Sequence, residues 1–247
     1  AAGIPVTVFE SARQPGGRAR ALEIDGRRLD NGQHLLVGAY GETLRLMRRI
    51  GAAPERLFER RPLQLEFPGY FSLRVPDLPA PLNVACGLFG ARGASLGEKL
   101  SAALFMQRLK RRRYRLLRDY SVTEWLDAEG QRGALRRYLW EPLCLAALNT
   151  APRQASAQVF ANVLRDSLGG GGDAADMLLP KADLGRLFPE PAANYVATHG
   201  GEVRLSARVS ALQGGGNGWL RASCEGSDRL DQVVLAIAPQ HVPPLLI

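Results

Sequence analysis

The most constraining feature of the sequence is a short β-rich segment that ends on a carboxylate. Ile4 to Glu10 reads Ile-Pro-Val-Thr-Val-Phe-Glu, which predicts a strand closing at Glu10. In a dinucleotide-binding fold, a carboxylate at this place accepts hydrogen bonds from the hydroxyls of the adenosine ribose. The alternative is a solvated carboxylate at a strand end. The strand alone leaves both interpretations open.

Paired glycines follow the strand. Gly16 and Gly17 would let the backbone approach a ligand closely, and Arg18 would supply a fixed cation for a diphosphate. An ordinary Pro-Gly-Gly turn with a solvated arginine is the alternative. The glycine-rich turn of such a fold lies about 20 residues before the carboxylate, which places it ahead of Ala1. We therefore expect a fragment that begins between a helix and a strand.

The composition excludes several protein classes. The chain has 247 residues, of which 46% are hydrophobic, so we expect one large or two interleaved globular domains rather than disorder. Apolar runs such as 233–239 are far shorter than the roughly 20 residues that cross a bilayer. Three scattered cysteines predict no disulfide framework, no metal site and a reducing, cytoplasmic compartment.

The charge of +8 is carried almost entirely by arginine. Net charge bears on partners, and this one is compatible with nucleic acid, an anionic membrane surface or a phosphorylated cofactor. No segment interleaves basic and aromatic residues as nucleic-acid-binding modules do. We expect no nucleic-acid partner.

A polar cluster between two apolar segments is a second candidate site. Residues 30–34 read Asp-Asn-Gly-Gln-His and are followed by Leu35-Leu36. Such a concentration of polar side chains often lines a site. His34 is alternatively a histidine that is hydrogen-bonded in a turn and has no chemical role.

These motifs together resemble a known superfamily. A strand ending in glutamate, a short loop and Gly-Gly-Arg are similar to the flavin-binding segment of the amine oxidases and phytoene desaturases. The string at 30–36 and Trp-Glu-Pro-Leu at 140–143 resemble a narrower subgroup, the squalene-associated desaturases known as hydroxysqualene dehydroxylases. One departure is Ala12, where many amine oxidases carry an arginine; Arg13 lies one place further on.

The resemblance implies an α/β fold, a Rossmann-like FAD-binding domain interrupted by a mixed α+β substrate domain. The first part of the FAD-binding domain would span residues 1–61, the substrate domain residues 62–199, and the second part residues 200–247. The implied FAD-binding residues are Glu10, Gly16, Gly17, Arg18, Gly32, Gln33, His34 and Val209. His34 and Gln33 are the implied catalytic candidates.

The implied reaction is the reductive dehydroxylation of hydroxysqualene to squalene, a step in hopanoid precursor synthesis. Reduced flavin would deliver a hydride, and His34 or Gln33 would donate to the departing oxygen. Three alternatives stay open: a phytoene-type desaturase, an amine oxidase, and a non-catalytic protein with the flavin fold. The C-terminal flavin-binding segment of the superfamily is also missing, so we expect the chain to be inactive and free of flavin by itself.

The middle of the chain is helical and lipophilic. Residues 96–117 form a long helical stretch that carries four consecutive basic residues at 110–113. They suit either a helix on an anionic membrane or a solvated face beside a core stripe of Leu104, Leu109, Leu116 and Leu117. The later helices enclose either a solid core or an apolar tunnel for a lipophilic substrate. The oligomeric state is not indicated by the sequence.

Overall fold

The computed structural model describes residues 3–32, 35–171, 173–215, 218–223 and 226–246. The chain divides into two compact units. The first unit comprises residues 1–34, 44–58 and 180–247, and the second unit comprises residues 35–43 and 59–179. The assignment of flavin binding and substrate binding to the three predicted segments stays a prediction.

The chain alternates short strands with helices of up to sixteen residues. The strands are β1 (Thr7–Phe9), β2 (Ala21–Ile24), β3 (Arg27–Asp30), β4 (Leu36–Val37), β5 (Phe58–Arg61), β6 (Gln64–Phe67), β7 (Phe71–Arg74), β8 (Met177–Pro180), β9 (Glu202–Arg204), β10 (Val209–Gly215), β11 (Gly218–Ser223) and β12 (Gly226–Leu230). The helices are α1 (Gly41–Arg49), α2 (Pro54–Leu57), α3 (Leu82–Gly90), α4 (Leu96–Arg111), α5 (Val122–Ala128), α6 (Gly133–Leu135), α7 (Glu141–Leu148), α8 (Ala157–Asp166), α9 (Leu184–Leu187) and α10 (Pro189–Thr198). No helix in these described ranges is long and apolar enough to cross a membrane.

The first unit is built from small sheets. Strand β1 pairs in parallel with β9, so that Val8 lies opposite Val203. Strands β2 and β3 form a hairpin, and its turn at Asp25-Gly26 has φ values of 51° and 70°. Positive φ at both positions is what a type I′ hairpin turn requires. Strands β10, β11 and β12 form an antiparallel meander.

The second unit is organised around an aromatic core. Phe105, Trp125, Trp140 and Phe160 are at most 2% exposed. The Phe105 ring centroid lies 4.9 Å from that of Trp125 and 5.6 Å from that of Trp140, in edge-on contacts. These rings come from α4, α5, a π-helical turn at Arg136–Trp140, and α8. The four helical segments converge on one packed centre.

Side-chain caps explain where the helices of the second unit begin. Ser95 and Ser121 each accept a hydrogen bond from the backbone of a glutamate three residues later, and each glutamate bonds back to the serine amide. This reciprocal arrangement is the capping box, and it fixes where α4 and α5 begin. Ser156 caps α8 by accepting from the Val159 amide.

Several local predictions were wrong. Helix α4 ends at Arg111 rather than near Leu117, because Arg113 and Tyr114 have positive φ values of 51° and 58°. Leu104 and Leu117 are exposed by 52% and 103%, so they do not belong to the predicted core stripe. The buried stripe of α4 is instead Ala102, Phe105 and Leu109.

The apolar residues at 203–213 and at 230–238 are typical of strands, but the structure forms only part of each. The first segment is interrupted at Ser206, whose φ is 56°, and becomes β9 and β10. In the second segment only Leu230 lies in a strand, as the last residue of β12. Val234 beyond it is 91% exposed. A strand needs a neighbour for its backbone hydrogen bonds, and among the described residues none pairs with 231–238.

Candidate functional site

Glu10 lies directly after the carboxyl end of β1. Its amide donates to the Arg204 carbonyl at 2.9 Å, and its own carbonyl accepts from the Ala207 amide at 2.9 Å. The backbone of Glu10 is therefore held on both sides by the segment that contains β9. A carboxylate at the end of a parallel strand is the placement that the sequence predicted.

The Glu10 carboxylate is oriented by the turn that follows it. Its Oε1 accepts a hydrogen bond from the Ala12 amide at 2.7 Å. Within the described ranges, no protein group donates to Oε2. The side chain thus has one oxygen fixed by the backbone and another available to a hydroxyl donor, which fits a sugar.

The two glycines of the loop are explained by different structural features. Gly16 has a φ of 115°, and a Cβ there would lie 2.6 Å from the Ala19 carbonyl oxygen and 2.8 Å from Cγ of Pro189. Gly16 is therefore needed for packing within the protein. Gly17 has a φ of 55°, and a Cβ there would meet no heavy atom within 4 Å. Of the two, Gly17 has the open space beside its backbone that close approach of a ligand requires.

Two arginines of this loop have side chains without protein acceptors in the described part of the chain. Arg18 is exposed and forms no ion pair there. Arg20 is half-buried, and its Nε is shielded from solvent without a hydrogen-bond partner. A buried donor without an acceptor is costly. The exposed Arg18 and the half-buried Arg20 give the loop a positive charge that fits an anionic group, such as the diphosphate of FAD.

Sequence reasoning missed Arg20. The available signal was the second arginine of Gly-Gly-Arg-Ala-Arg. The pattern alone does not show that the first arginine is exposed while the second is enclosed.

Asn31 joins the polar cluster to the glycine loop. Its backbone amide donates to the Arg20 carbonyl at 3.1 Å, and its Nδ2 donates to the Arg18 carbonyl at 3.3 Å. The two segments that the sequence selected independently are thus in direct contact. Gly32 follows with a φ of 104°, a conformation that favours glycine. Gln33 and His34, the two catalytic candidates, lie outside the described residues.

Val209 begins β10 and is half-buried. It lies two residues after Ala207, whose amide binds the Glu10 carbonyl. This backbone bond places the start of β10 close to the end of β1. The contact of Val209 with adenine stays a prediction.

An ion cluster that the sequence did not predict anchors helix α9. Arg28 on β3 pairs with Asp183 at 2.9 Å and also with Glu190. The hydrogen bond that Arg28 donates to Glu190, and then the hydrogen bond to Asp183 and its charge, raise the pKa of Arg28 despite some desolvation. Asp30 accepts from the Leu184 amide at 2.8 Å. The hairpin that precedes the polar cluster is therefore tied to the segment at 183–190.

The aromatic centre of the second unit is filled by protein side chains. Its rings are in mutual contact, and Trp140 Nε1 donates to the buried Gln131 side chain at 3.1 Å. This supports the solid-core interpretation for these helices. A separate surface cavity of about 520 Å³ is lined by Arg136, Arg137 and Glu141 among others. Its charged lining does not suit a hydrocarbon substrate.

Comparisons with curated proteins give several relatives. The chain is 28% identical to a hydroxysqualene dehydroxylase from Sinorhizobium fredii, over 99% of this chain and 58% of that protein. It is 29% identical to one from Zymomonas mobilis, over 85% and 50%. A 15-cis-phytoene desaturase from Synechococcus elongatus is 25% identical, over 83% and 45%. The chain spans about half the length of these relatives.

The fold is shared with solved structures. A putrescine oxidase bound to putrescine superposes with a TM-score of 0.66, at 15% identity, over 99% of this chain and 55% of that one. An oxidoreductase from Methanosarcina mazei superposes with a TM-score of 0.63, at 12% identity, over 92% and 52%. The predicted fold class, an interrupted FAD-binding α/β fold, is confirmed.

A family match agrees with both comparisons. The sequence model described as "Flavin containing amine oxidoreductase" matches residues 1–246. FAD is the cofactor that the sequence predicted and that this family uses. The chain therefore belongs to the flavin-containing amine oxidoreductase family.

Proposed function

We propose that this chain forms part of an FAD-dependent enzyme that reductively dehydroxylates hydroxysqualene to squalene. The supporting observation is the loop of Glu10, Gly17, Arg18 and Arg20 joined through Asn31 to the polar cluster. The relatives named hydroxysqualene dehydroxylase match 85% or more of the chain and favour this substrate.

Different residues of this chain would bind different parts of FAD. Oε2 of Glu10 would accept from a ribose hydroxyl, the backbone at Gly17 would approach the diphosphate, and Arg18 and Arg20 would neutralise it. Val209 would contribute backbone contact to the adenine. Bound reduced flavin supplies the hydride that replaces the hydroxyl of the substrate.

His34 or Gln33 would donate a hydrogen bond to the leaving oxygen, and of the two only His34 could also transfer a proton to it. A C–OH bond breaks more readily when its oxygen receives a proton, so that it departs as water. A neutral imidazole cannot supply that proton, whereas an imidazolium can. The apolar surroundings of the reacting carbon must exclude water, which would otherwise compete as a nucleophile.

The function is tested with the complete, flavin-loaded enzyme. Anaerobic incubation of the reduced enzyme with hydroxysqualene should give squalene, identified by mass spectrometry. The variant His34→Ala should retain flavin and lose most of its turnover, while His241→Ala should behave as wild type. Full turnover in His34→Ala would remove that residue from the mechanism, and absence of squalene with wild type would refute the reaction.

A phytoene-type desaturase is the second candidate. It is favoured by the 25% identity to the 15-cis-phytoene desaturase. It would oxidise a similar polyene, with hydride transfer in the opposite direction. Oxidised enzyme incubated with phytoene should then give a product with additional double bonds, and hydroxysqualene should be unchanged.

Lipophilic substrates of both kinds reside in membranes. We therefore include a peripheral membrane contact in the proposed function. The basic run at 110–113 supports it.

A further inference from the structure

Helix α4 carries leucines on the side that faces away from its core. Leu96, Leu100 and Leu104 follow one another at four-residue spacing and are exposed by 65%, 48% and 52%. Residues at this spacing lie on one face of a helix. The core contact of α4 is made by other residues, among them Phe105 and Leu109, which are buried. The exposed leucines therefore form a separate apolar stripe.

Helix α3 extends this apolar surface. Leu82 and Phe89 are exposed by 59% and 44%. Lys99 Nζ on α4 donates to the Phe89 carbonyl at 2.9 Å, which ties the end of α3 to the beginning of α4. We call the five side chains Leu82, Phe89, Leu96, Leu100 and Leu104 the α3–α4 face. Clusters of exposed apolar side chains mark interaction surfaces.

The basic residues after the leucine stripe fall into two groups. Arg108 and Arg112 pair with Glu129 at 2.9 and 3.3 Å, so their charge is balanced within the protein. The second group forms no ion pair with any residue that the structure describes. It consists of Lys110, Arg111, Arg113 and Arg115.

The acidic residue of α4, Glu98, lies twelve residues before Lys110, about 18 Å along the helix axis, so it offsets these cations only weakly. The Glu98 carboxylate accepts from the amides of Ser95 and Ala134, and so it is engaged in capping. Leu117, which lies among the cations in the sequence, is 103% exposed. The surface thus combines an apolar stripe, unbalanced positive charge and a projecting leucine.

We propose that the α3–α4 face docks onto the surface of an anionic lipid bilayer. Apolar side chains on one helix side and cations beside them are the properties of an interfacial helix. A second copy of the chain fits less well, because it would bring the same cations against their own kind, and the chain already carries a net charge of +8.

This docking extends the membrane contact in the proposed function by naming its surface and the lipid charge. It does not depend on the reaction, because vesicle binding is measured without turnover. An enzyme with another substrate could bind vesicles, and a hydroxysqualene dehydroxylase could fail to do so. The two proposals can therefore fail separately.

The test is sedimentation of the complete flavoprotein with phosphatidylcholine vesicles, with and without phosphatidylglycerol. Binding should require phosphatidylglycerol and should weaken as salt is raised. The double variant Lys110→Gln/Arg111→Gln should lower the partition coefficient about 25-fold, at about fivefold per cation. Leu100→Gln/Leu104→Gln should lower it by a similar or larger factor.

Matched controls carry the same changes elsewhere. Arg56→Gln/Arg153→Gln removes two exposed cations, and Leu145→Gln/Val159→Gln replaces two exposed apolar residues. Both should bind vesicles as wild type does. The proposal is overturned if wild type does not bind, or if the test variants bind as well as their controls. A concentration-dependent dimer that Leu100→Gln/Leu104→Gln abolishes, without vesicle binding, would assign the face to a second copy.

Discussion

The two units differ in what stabilises them. In the second unit, Phe105, Trp125, Trp140 and Phe160 are at most 2% exposed and touch one another. In the first unit, Val6 and Val8 of the opening segment are exposed by 49% and 39%. The second unit therefore gains much of its stability from apolar burial within itself. The first unit holds its site by backbone hydrogen bonds and ion pairs, and it leaves polar groups available to a ligand.

The difference extends to the hydrogen-bonding groups that each unit leaves accessible. A packed aromatic core fixes geometry, and although the Trp125 Nε1 within it has no hydrogen-bond partner, that side chain is only 1% exposed and so is closed to a ligand. The glycine loop offers Oε2 of Glu10 and the exposed Arg18 side chain, which the described protein groups do not satisfy. Unsatisfied groups lower stability and are retained where a ligand completes them. Mutations in the second unit should therefore act on folding, and mutations in the loop should act on flavin affinity.

The largest expected effect is in the aromatic core. Trp125→Ala removes a ring that is 1% exposed, and it should lower the free energy of unfolding by about 3–5 kcal/mol through lost burial and a cavity. Chemical denaturation measures this. Leu117→Ala, at a fully exposed side chain, should change stability by less than about 0.5 kcal/mol. Equal effects of the two variants would contradict the core assignment.

A change at Arg20 should have the opposite outcome to one in the aromatic core: it should lower flavin affinity without lowering the stability of the protein. Arg20→Gln should weaken FAD binding by about 10- to 100-fold, because a hydrogen bond to a charged group contributes roughly 1.5–3 kcal/mol. Stability of the flavin-free protein should be unchanged or slightly higher, since a buried donor without a partner is removed. Titration with FAD measures the affinity. Arg13→Gln, at an exposed residue of the same loop, is the matched control.

Substitutions at the paired glycines should affect different properties, folding stability at Gly16 and also flavin affinity at Gly17. Gly16→Ala should cost at least about 1–3 kcal/mol of folding free energy, from backbone strain at its φ together with contact against Ala19 and Pro189. Gly17→Ala should cost about 1–2 kcal/mol through its left-handed φ, and it should also lower flavin affinity. Thermal unfolding and FAD titration on both variants test this. A Gly17→Ala protein with wild-type flavin affinity would remove Gly17 from the site.

The caps of the second unit should have smaller effects. Ser121→Ala removes the hydrogen bond to the Glu124 amide and should destabilise the protein by about 1 kcal/mol. Denaturant unfolding measures the change. Ser121→Asp retains a cap acceptor and should recover most of the loss. Destabilisation by both variants alike would indicate a role of Ser121 other than capping.

The smallest expected effect is a pH dependence at Asp119. The Ser156 hydroxyl, and then the Gln158 amide, donate to this carboxylate and lower its pKa below the ordinary value of 3.8. A carboxylate with a lowered pKa in the folded state stabilises the protein above its unfolded pKa. That stability is lost as the pH falls from the unfolded pKa through the lower folded pKa.

Asp119→Asn should therefore flatten the acid side of the stability curve and leave a nearly constant deficit at neutral pH. Unfolding midpoints measured across the acid range test this. Glu66→Gln, at an exposed residue on β6, serves as the control. An unchanged acid slope in Asp119→Asn would show that its hydrogen bonds are not retained in solution.

Much of the candidate site could be predicted because its signals are local. A carboxylate directly after a β-rich run is a pattern that depends only on neighbours within a few residues. The glycine loop and the polar cluster were also recognisable as strings. Glu10, Gly17, Arg18 and Asn31 thus stood out before their contacts were known, although the roles of Gln33 and His34 stay predictions.

Other features depend on distant partners. The core stripe was predicted correctly at Leu109 and Leu116 but wrongly at Leu104 and Leu117, because leucine spacing alone does not show which face meets Trp125. The burial of Arg20 and the pairing of Arg28 with Asp183, 155 residues away, could not be deduced from short motifs. The sequence by itself determined the local backbone and the chemical groups of the flavin loop. Only the tertiary structure decided which of those groups are satisfied within the protein and which are left for a ligand, because burial and hydrogen bonding are properties of residues brought together from far along the chain.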